Sequence, residues 1–266
     1  MTATNSSVGQ VFDVLGLLSG GGATGIGELA RRLAVPLSTA HRVLATLEQA
    51  GYAARDTAGK RYQLGLGAQE LTHALLRRFP LQAASQPVLR RLSGATGETI
   101  VLTCRIGWYG VRTASAEGWH EIHAAPRLGQ TSPLASTAGG RAILAFHDEA
   151  QLAQYLRRHG GGARRTAALR AGVAAIREQG YVLDRDDDGR SDIALPLRDE
   201  AGGVAASLAI EAAAPEGGAR GERQRIARVR SAAQEIERLM RARPELACDP
   251  FGHLPPDALT PGFDGG

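Results

Sequence analysis

Cysteine is nearly absent. The chain has two, Cys104 and Cys248, at no spacing that suits a metal site, and their separation suggests no disulfide. Aromatic residues make up 5%, so Leu, Val, Ile and Ala must fill the core, and hydrophobic residues at 43% are enough for it. No apolar run approaches a membrane span, and the polar start from Met1 to Gly9 has neither a charged leader nor an apolar signal core; the cytoplasm is the expected compartment. Lysine is missing save for Lys60, and the other basic residues are arginine, a coding bias rather than a functional choice. Catalytic signatures are missing too. There is no G-x-S-x-G elbow, phosphate loop, dinucleotide fingerprint or H-E-x-x-H. Cys104 sits mid-strand with no base at a recognisable spacing and reads as a small core residue. No cofactor, metal or catalytic residue is expected, and a small-molecule hydrolase stays only as a remote alternative.

What is present begins with length and charge. The 266 residues suit two ordinary domains, and the net charge of +4 is only mildly basic. Most of that excess lies in residues 1–80, which hold eight basic and five acidic side chains. Val8, Val11, Phe12, Leu15 and Leu18 fall at helical spacing, with Ser6 or Ser7 to cap the helix and Ser19 to Gly22 to end it. Ile26, Leu29, Ala30 and Leu33 mark a short second helix, with Gly25 at its N-cap and Glu28 three residues on. Ala34 and Val35 make a turn, and Pro36 suits the first turn of a third helix.

That third helix carries the functional argument. Ala40, Val43, Leu44 and Leu47 form its inner stripe, while Ser38, Thr39, His41, Arg42, Ala45 and Thr46 face outward. A helix that enters the DNA major groove needs a slim face able to hydrogen-bond base edges and phosphates. No acid stands on this one before Glu48. After Gly51, residues 52–55 and 60–64 read as two strands around Asp56, Thr57, Ala58 and Gly59, with Arg55, Lys60 and Arg61 crowding the tip for phosphate contacts. Helix, helix-turn-helix, then basic hairpin is the order of a winged helix. Any small α+β module with solvated polar faces is the competing reading.

Gln69 to Phe79 reads as a helix with Leu71, Leu75 and Leu76 apolar, broken by Pro80, and Leu81 to Ala95 as another with Val88, Leu89 and Leu92. Residues 98–105 and 110–115 are strand-like around 106–109, and Pro133 to Phe146 leads into a helix whose Ser136, Thr137, Gly139 and Gly140 suit close ligand approach. A helix over 169–180 precedes an acidic run, 184–192. Asp184, Asp186, Asp188 and Gly189 satisfy the first half of a calcium loop, but Leu195 stands where its closing Glu belongs and cannot ligate. A strand over 204–211 and a helix over 220–243 with Ile226, Val229, Ala233, Ile236 and Met240 inside complete the domain. Residues 244–266, rich in Pro, Gly and Asp, read as a disordered tail.

The run from Leu37 to Leu47, followed by Gly51-Tyr52 and by Tyr62-Gln63-Leu64-Gly65, resembles the IclR family of bacterial regulators. So do Pro133 to Ala145, Ile176 to Tyr181 and Ile193 to Leu197, in order from about Val8 to Arg241. The resemblance implies an α+β chain: a winged helix-turn-helix over 1–67, a linker helix over 68–80, and a GAF-like effector-binding domain over 81–243 built as an antiparallel sheet flanked by helices. It implies double-stranded DNA with a palindromic operator as partner, bound by a homodimer or dimer of dimers. The linker helix serves dimerisation in that family; packing on its own domain is the alternative.

Family ligand contacts carry over to Ala138 and Gly139. Asp184 matches the family's first aspartate. Asp187 stands where the family has Glu, and Asp192 where it has a Cys or small residue. Ala209 and Glu211 occupy two positions that often hold small hydroxyls, on one face of their strand. Three acids in one pocket repel an anion. The expected effector is therefore a neutral polyol or a cation rather than a simple carboxylate, unless the pocket is degenerate and the domain only dimerises. A slip of one or two residues in the correspondence would instead return these acids to solvent.

Overall fold

The computed structural model describes residues 7–20, 22–56, 58–76, 79–120, 128–185, 190–212 and 218–246. Expectations for Ser6, Gly21, Thr57, the Leu76 side chain, residues 186–189, Cys248 and the tail from 247 onward lie outside them. The chain divides into two compact units between residues 76 and 79.

The first unit runs α1 (Ser7–Ser19), β1 (Thr24–Gly25), α2 (Ile26–Arg32), α3 (Leu37–Gln49), β2 (Ala53–Arg55), β3 (Arg61–Leu64) and α4 (Leu66–Leu76). β3 lies between β1 and β2, antiparallel to both. The core joins Val14 and Leu18 of α1 to Leu29, Val43, Leu44, Leu47, Ala53 and Tyr62. On α1, Val14 and Leu18 are buried in that core and Val11, Leu15 and Leu17 pack against it. Val8 and Phe12, expected inside, are 65% and 58% exposed. Ala34 turns the chain between α2 and α3 with φ of 53°, a left-handed conformation uncommon outside glycine.

The second unit opens with α5 (Pro80–Thr96). Pro80 does not merely break the preceding helix; it starts the next one, where its missing N–H costs nothing. There follow β4 (Thr99–Ile106), β5 (Tyr109–Ala116), β6 (Thr131–Pro133), a 3-10 turn (Leu134–Ser136), α6 (Ala138–Leu144), α7 (Glu149–His159), α8 (Ala163–Gln179), β7 (Val182–Arg185), β8 (Ser191–Arg198), β9 (Val204–Ala212), α9 (Gly218–Ala242) and a 3-10 turn (Pro244–Leu246). The six strands form one antiparallel sheet in the order β6-β5-β4-β9-β8-β7.

Strand alternation divides its side chains between two cores. On one face Ile100, Leu102 and Cys104 of β4 and Ala206, Leu208 and Ile210 of β9 pack under α5 and α9. On the other, Ala194 and Ala209 pack with α6, α7 and α8 around Trp108, Leu144 and Tyr155. Leu246, expected in a disordered tail, is buried in the first core. Cys104 is buried as expected but is disulfide-bonded, against the expectation of no disulfide. This is the antiparallel sheet flanked by helices that the family resemblance implies. No helix among the described residues is long and apolar enough to cross a membrane.

Candidate DNA-binding surface and effector cleft

α3 buries Ala40, Val43, Leu44 and Leu47 and leaves Ser38, His41, Arg42, Ala45 and Thr46 exposed, with Thr39 half-buried. The Thr46 hydroxyl donates to the Arg42 carbonyl at 3.0 Å, so it keeps only acceptor capacity for a partner. Glu48, the acid nearest this face, is held by Arg55: the guanidinium Nε donates to both carboxylate oxygens at 3.1 and 3.2 Å. Arg55 also lies over the Tyr62 ring, 5.2 Å from its centre. Arg55 ends β2 opposite Tyr62, in the strand pair next to the turn, and so stands at the tip end of the hairpin. At the turn, Asp56 accepts the backbone N–H groups of Lys60 and Arg61 at 3.0 and 3.2 Å. Both of those side chains are exposed.

The other expected site residues gather on the α6 face of the large sheet. Asp184, Asp192 and Glu211 pair in direct register across β7, β8 and β9, so they stand in one row. Glu211 and Ala209 line a narrow cleft with Thr103, Gly110, Arg112, Gln130, Ser132, Thr137 and Gly139. Its enclosed volume is about 10 Å³, room for one water. Ala138 lies buried behind it. Thr137 caps α6 by accepting the Gly140 N–H at 3.0 Å. Glycine at 139 keeps the cleft open: a β-carbon there would sit 3.0 Å from Ser207 Oγ and 3.1 Å from Thr103 Oγ1. At Gly140 a β-carbon would collide with the Leu134 carbonyl.

Two cations that the sequence reading passed over dominate this region. Arg112 donates bidentately to Glu211, with both bonds at 2.8 Å and the side chains 19% and 16% exposed. Arg141 pairs with Asp184. The three acids thus do not form a bare negative cluster. Asp192 alone lacks an ion pair of its own among the described residues, and its pKa is pushed up to about 6, first by burial and then by Glu211. Arg112 and Arg141 were hard to find because their partners lie 99 and 43 residues away. Strand alternation was the available signal for Arg112, since it shares a face with Gly110.

The half calcium loop extends over residues outside those described. Asp184 is engaged by Arg141, and Leu195 is a buried strand residue. No group of three His, Cys, Asp or Glu among the described residues could hold a metal ion.

Residues 7–57 match the IclR helix-turn-helix domain and residues 73–238 the bacterial transcriptional regulator IclR C-terminal domain. The chain is 32% identical over 213 residues to the HTH-type transcriptional regulator KdgR of Escherichia coli, covering 77% of this chain and 81% of that protein. It is 32% identical over 209 residues to the HTH-type transcriptional regulator BhcR of Paracoccus denitrificans, covering 76% and 75%. The Thermotoga maritima IclR crystal structure superposes with a TM-score of 0.70 at 27% identity, over 88% of this chain and 98% of that one. An IclR homolog from Microbacterium hydrocarbonoxydans complexed with 4-hydroxybenzoate shares the fold, with a TM-score of 0.71 at 23% identity over 91% and 99%. The chain belongs to the IclR family of DNA-binding transcriptional regulators, which are not enzymes, and carries the family's helix-turn-helix and effector-binding domains.

Proposed function

We propose that the protein regulates transcription in the cytoplasm by setting α3 into the major groove of a palindromic operator, as a homodimer or dimer of dimers. Ser38, Thr39, His41, Arg42 and Thr46 meet base edges and nearby phosphates, and Lys60 and Arg61 meet the flanking backbone. Arg55, beside them at the end of β2, also meets that backbone while it pairs with Glu48. The observation that carries this reading is the exposed α3 face itself: small hydroxyls, one His and one Arg, with its nearest acid neutralised. Footprinting on DNA upstream of its own gene and its divergent neighbour tests it. Protection of a site with two-fold symmetry is expected. Failure to select any site from whole-genome fragments would sink it.

We further propose the working boundaries 1–67, 68–80 and 81–243, and an effector cleft formed by Ala138, Gly139, Asp184, Asp192, Ala209 and Glu211 with Arg112. The effector is a small organic molecule other than a simple carboxylate. A second reading, in which the domain is a ligand-free dimer module, draws on the closed state of the cleft, which the Arg112–Glu211 pair spans. Operator affinity that no small molecule alters would favour it.

A further inference from the structure

The effector cleft is closed by its own charges. Arg112 and Glu211 hold each other by two hydrogen bonds of 2.8 Å and are each less than a fifth exposed. On the next strand, Asp192 stands directly opposite Glu211, and Asp184 beyond it is already held by Arg141. Matching guanidiniums to carboxylates along this row leaves Asp192 over. It draws on Arg112, which is engaged by Glu211, on the Ala212 N–H, on Arg141, which is engaged by Asp184, and on Arg190 from an exposed position.

A ligand must part Arg112 from Glu211 to enter. A simple anion would take Arg112 and leave Glu211 stranded beside a second acid. A simple cation would satisfy the acids and leave Arg112 unpaired. Either way a largely buried charge loses its partner, which is strongly unfavourable. A molecule that carries both charges a few ångströms apart replaces each partner with its own group. The floor of the cleft adds a second observation. Ser207 is fully buried, and its Oγ has no hydrogen-bond partner among the described residues. It lies opposite Thr103 and close under Gly139, both of which line the cleft, so a polar ligand atom there would satisfy it.

We propose that the effector is a zwitterion, a small α-amino acid or close analogue, with its ammonium between Asp192 and Glu211 and its carboxylate on Arg112. This rests on the reading of the cleft as the effector site and narrows that reading to one ligand class.

The test uses the full chain and the proteinogenic amino acids, each beside its deaminated acid and its decarboxylated amine, by thermal shift and then calorimetry. At least one amino acid should bind and raise the melting temperature, with its acid and its amine weaker by about tenfold or more. Asp192→Asn and Glu211→Gln, each melting cooperatively, should weaken that amino acid by a similar factor. An acid or amine that binds as tightly as its amino acid overturns the proposal, as does a panel in which no amino acid binds. A sugar, polyol or aromatic acid that binds instead and shifts operator affinity overturns the zwitterion but keeps the effector reading. Operator affinity that no amino acid, acid, amine, sugar or polyol moves overturns both.

Discussion

Asp192, half-buried, and His147, buried, are titratable groups that push stability in opposite directions as pH falls. The folded pKa of Asp192, about 6, lies above its ordinary value of 3.8, so the folded state binds that proton more tightly. Its contribution is fully favourable below its ordinary pKa and is lost as pH rises through 6. Asp192→Asn should therefore stabilise the protein at pH 8 by about 1–2 kcal/mol and have little effect near pH 4, as denaturant titrations at the two pH values would show. Equal effects at both would contradict the burial argument. His147 is held neutral, with a pKa lowered to about 4 by burial first and then by Arg105. Its contribution is present above pH 6.5 and is lost as pH falls through 4. His147→Gln should lose less stability than the parent between pH 7 and pH 4, by about 1–2 kcal/mol. A parallel loss in both proteins would place the acid sensitivity elsewhere.

Among the elements, the start of α6 is the most constrained. Thr137→Ala removes the hydroxyl that accepts the Gly140 N–H, and should cost about 1 kcal/mol in denaturant titration. Gly140→Ala drives a β-carbon into the Leu134 carbonyl, a backbone atom that cannot swing aside. It should lower the melting temperature far more than Thr137→Ala, and near-equal melting temperatures would show that the 3-10 turn yields. The same scale shows what was legible in the sequence. α3 was readable because its four inner residues sit at helical spacing with polar residues between them. α7 was missed: Leu152, Tyr155 and Leu156 are sparse among Gln and Arg. Its capping box, Asp148 accepting the Gln151 N–H at 2.7 Å, was the signal that could have found it. On α1 the periodicity held for Val11, Leu15 and Leu18, but tertiary packing added Val14 and left Val8 and Phe12 outside. In the cleft the acids could be placed by their order along the chain. Their guanidinium partners could not, since those pairings form only when distant strands and α6 are brought together.

The molecule carries two sites of different character. One is an exposed polar face on a small helical unit, with its nearby acid neutralised by Arg55. The other is a closed, charge-paired cleft on one face of a six-stranded sheet. Family membership supplies the DNA-binding and effector-binding roles, while the side chains supply the reasons this chain can fill them. Because operator affinity of such proteins comes largely from phosphate contacts, it should fall steeply with salt, and Lys60→Ala should weaken binding to specific and random DNA alike, with the salt slope reduced by about 1.

Operator affinity measured over a range of salt for the parent and Arg42→Ala decides whether α3 reads the DNA. The α3 reading predicts selective, salt-sensitive binding by the parent. It predicts that Arg42→Ala loses about 1–3 kcal/mol on the operator and far less on random DNA. Unchanged operator affinity in a folded Arg42→Ala protein would show that some other surface reads the DNA.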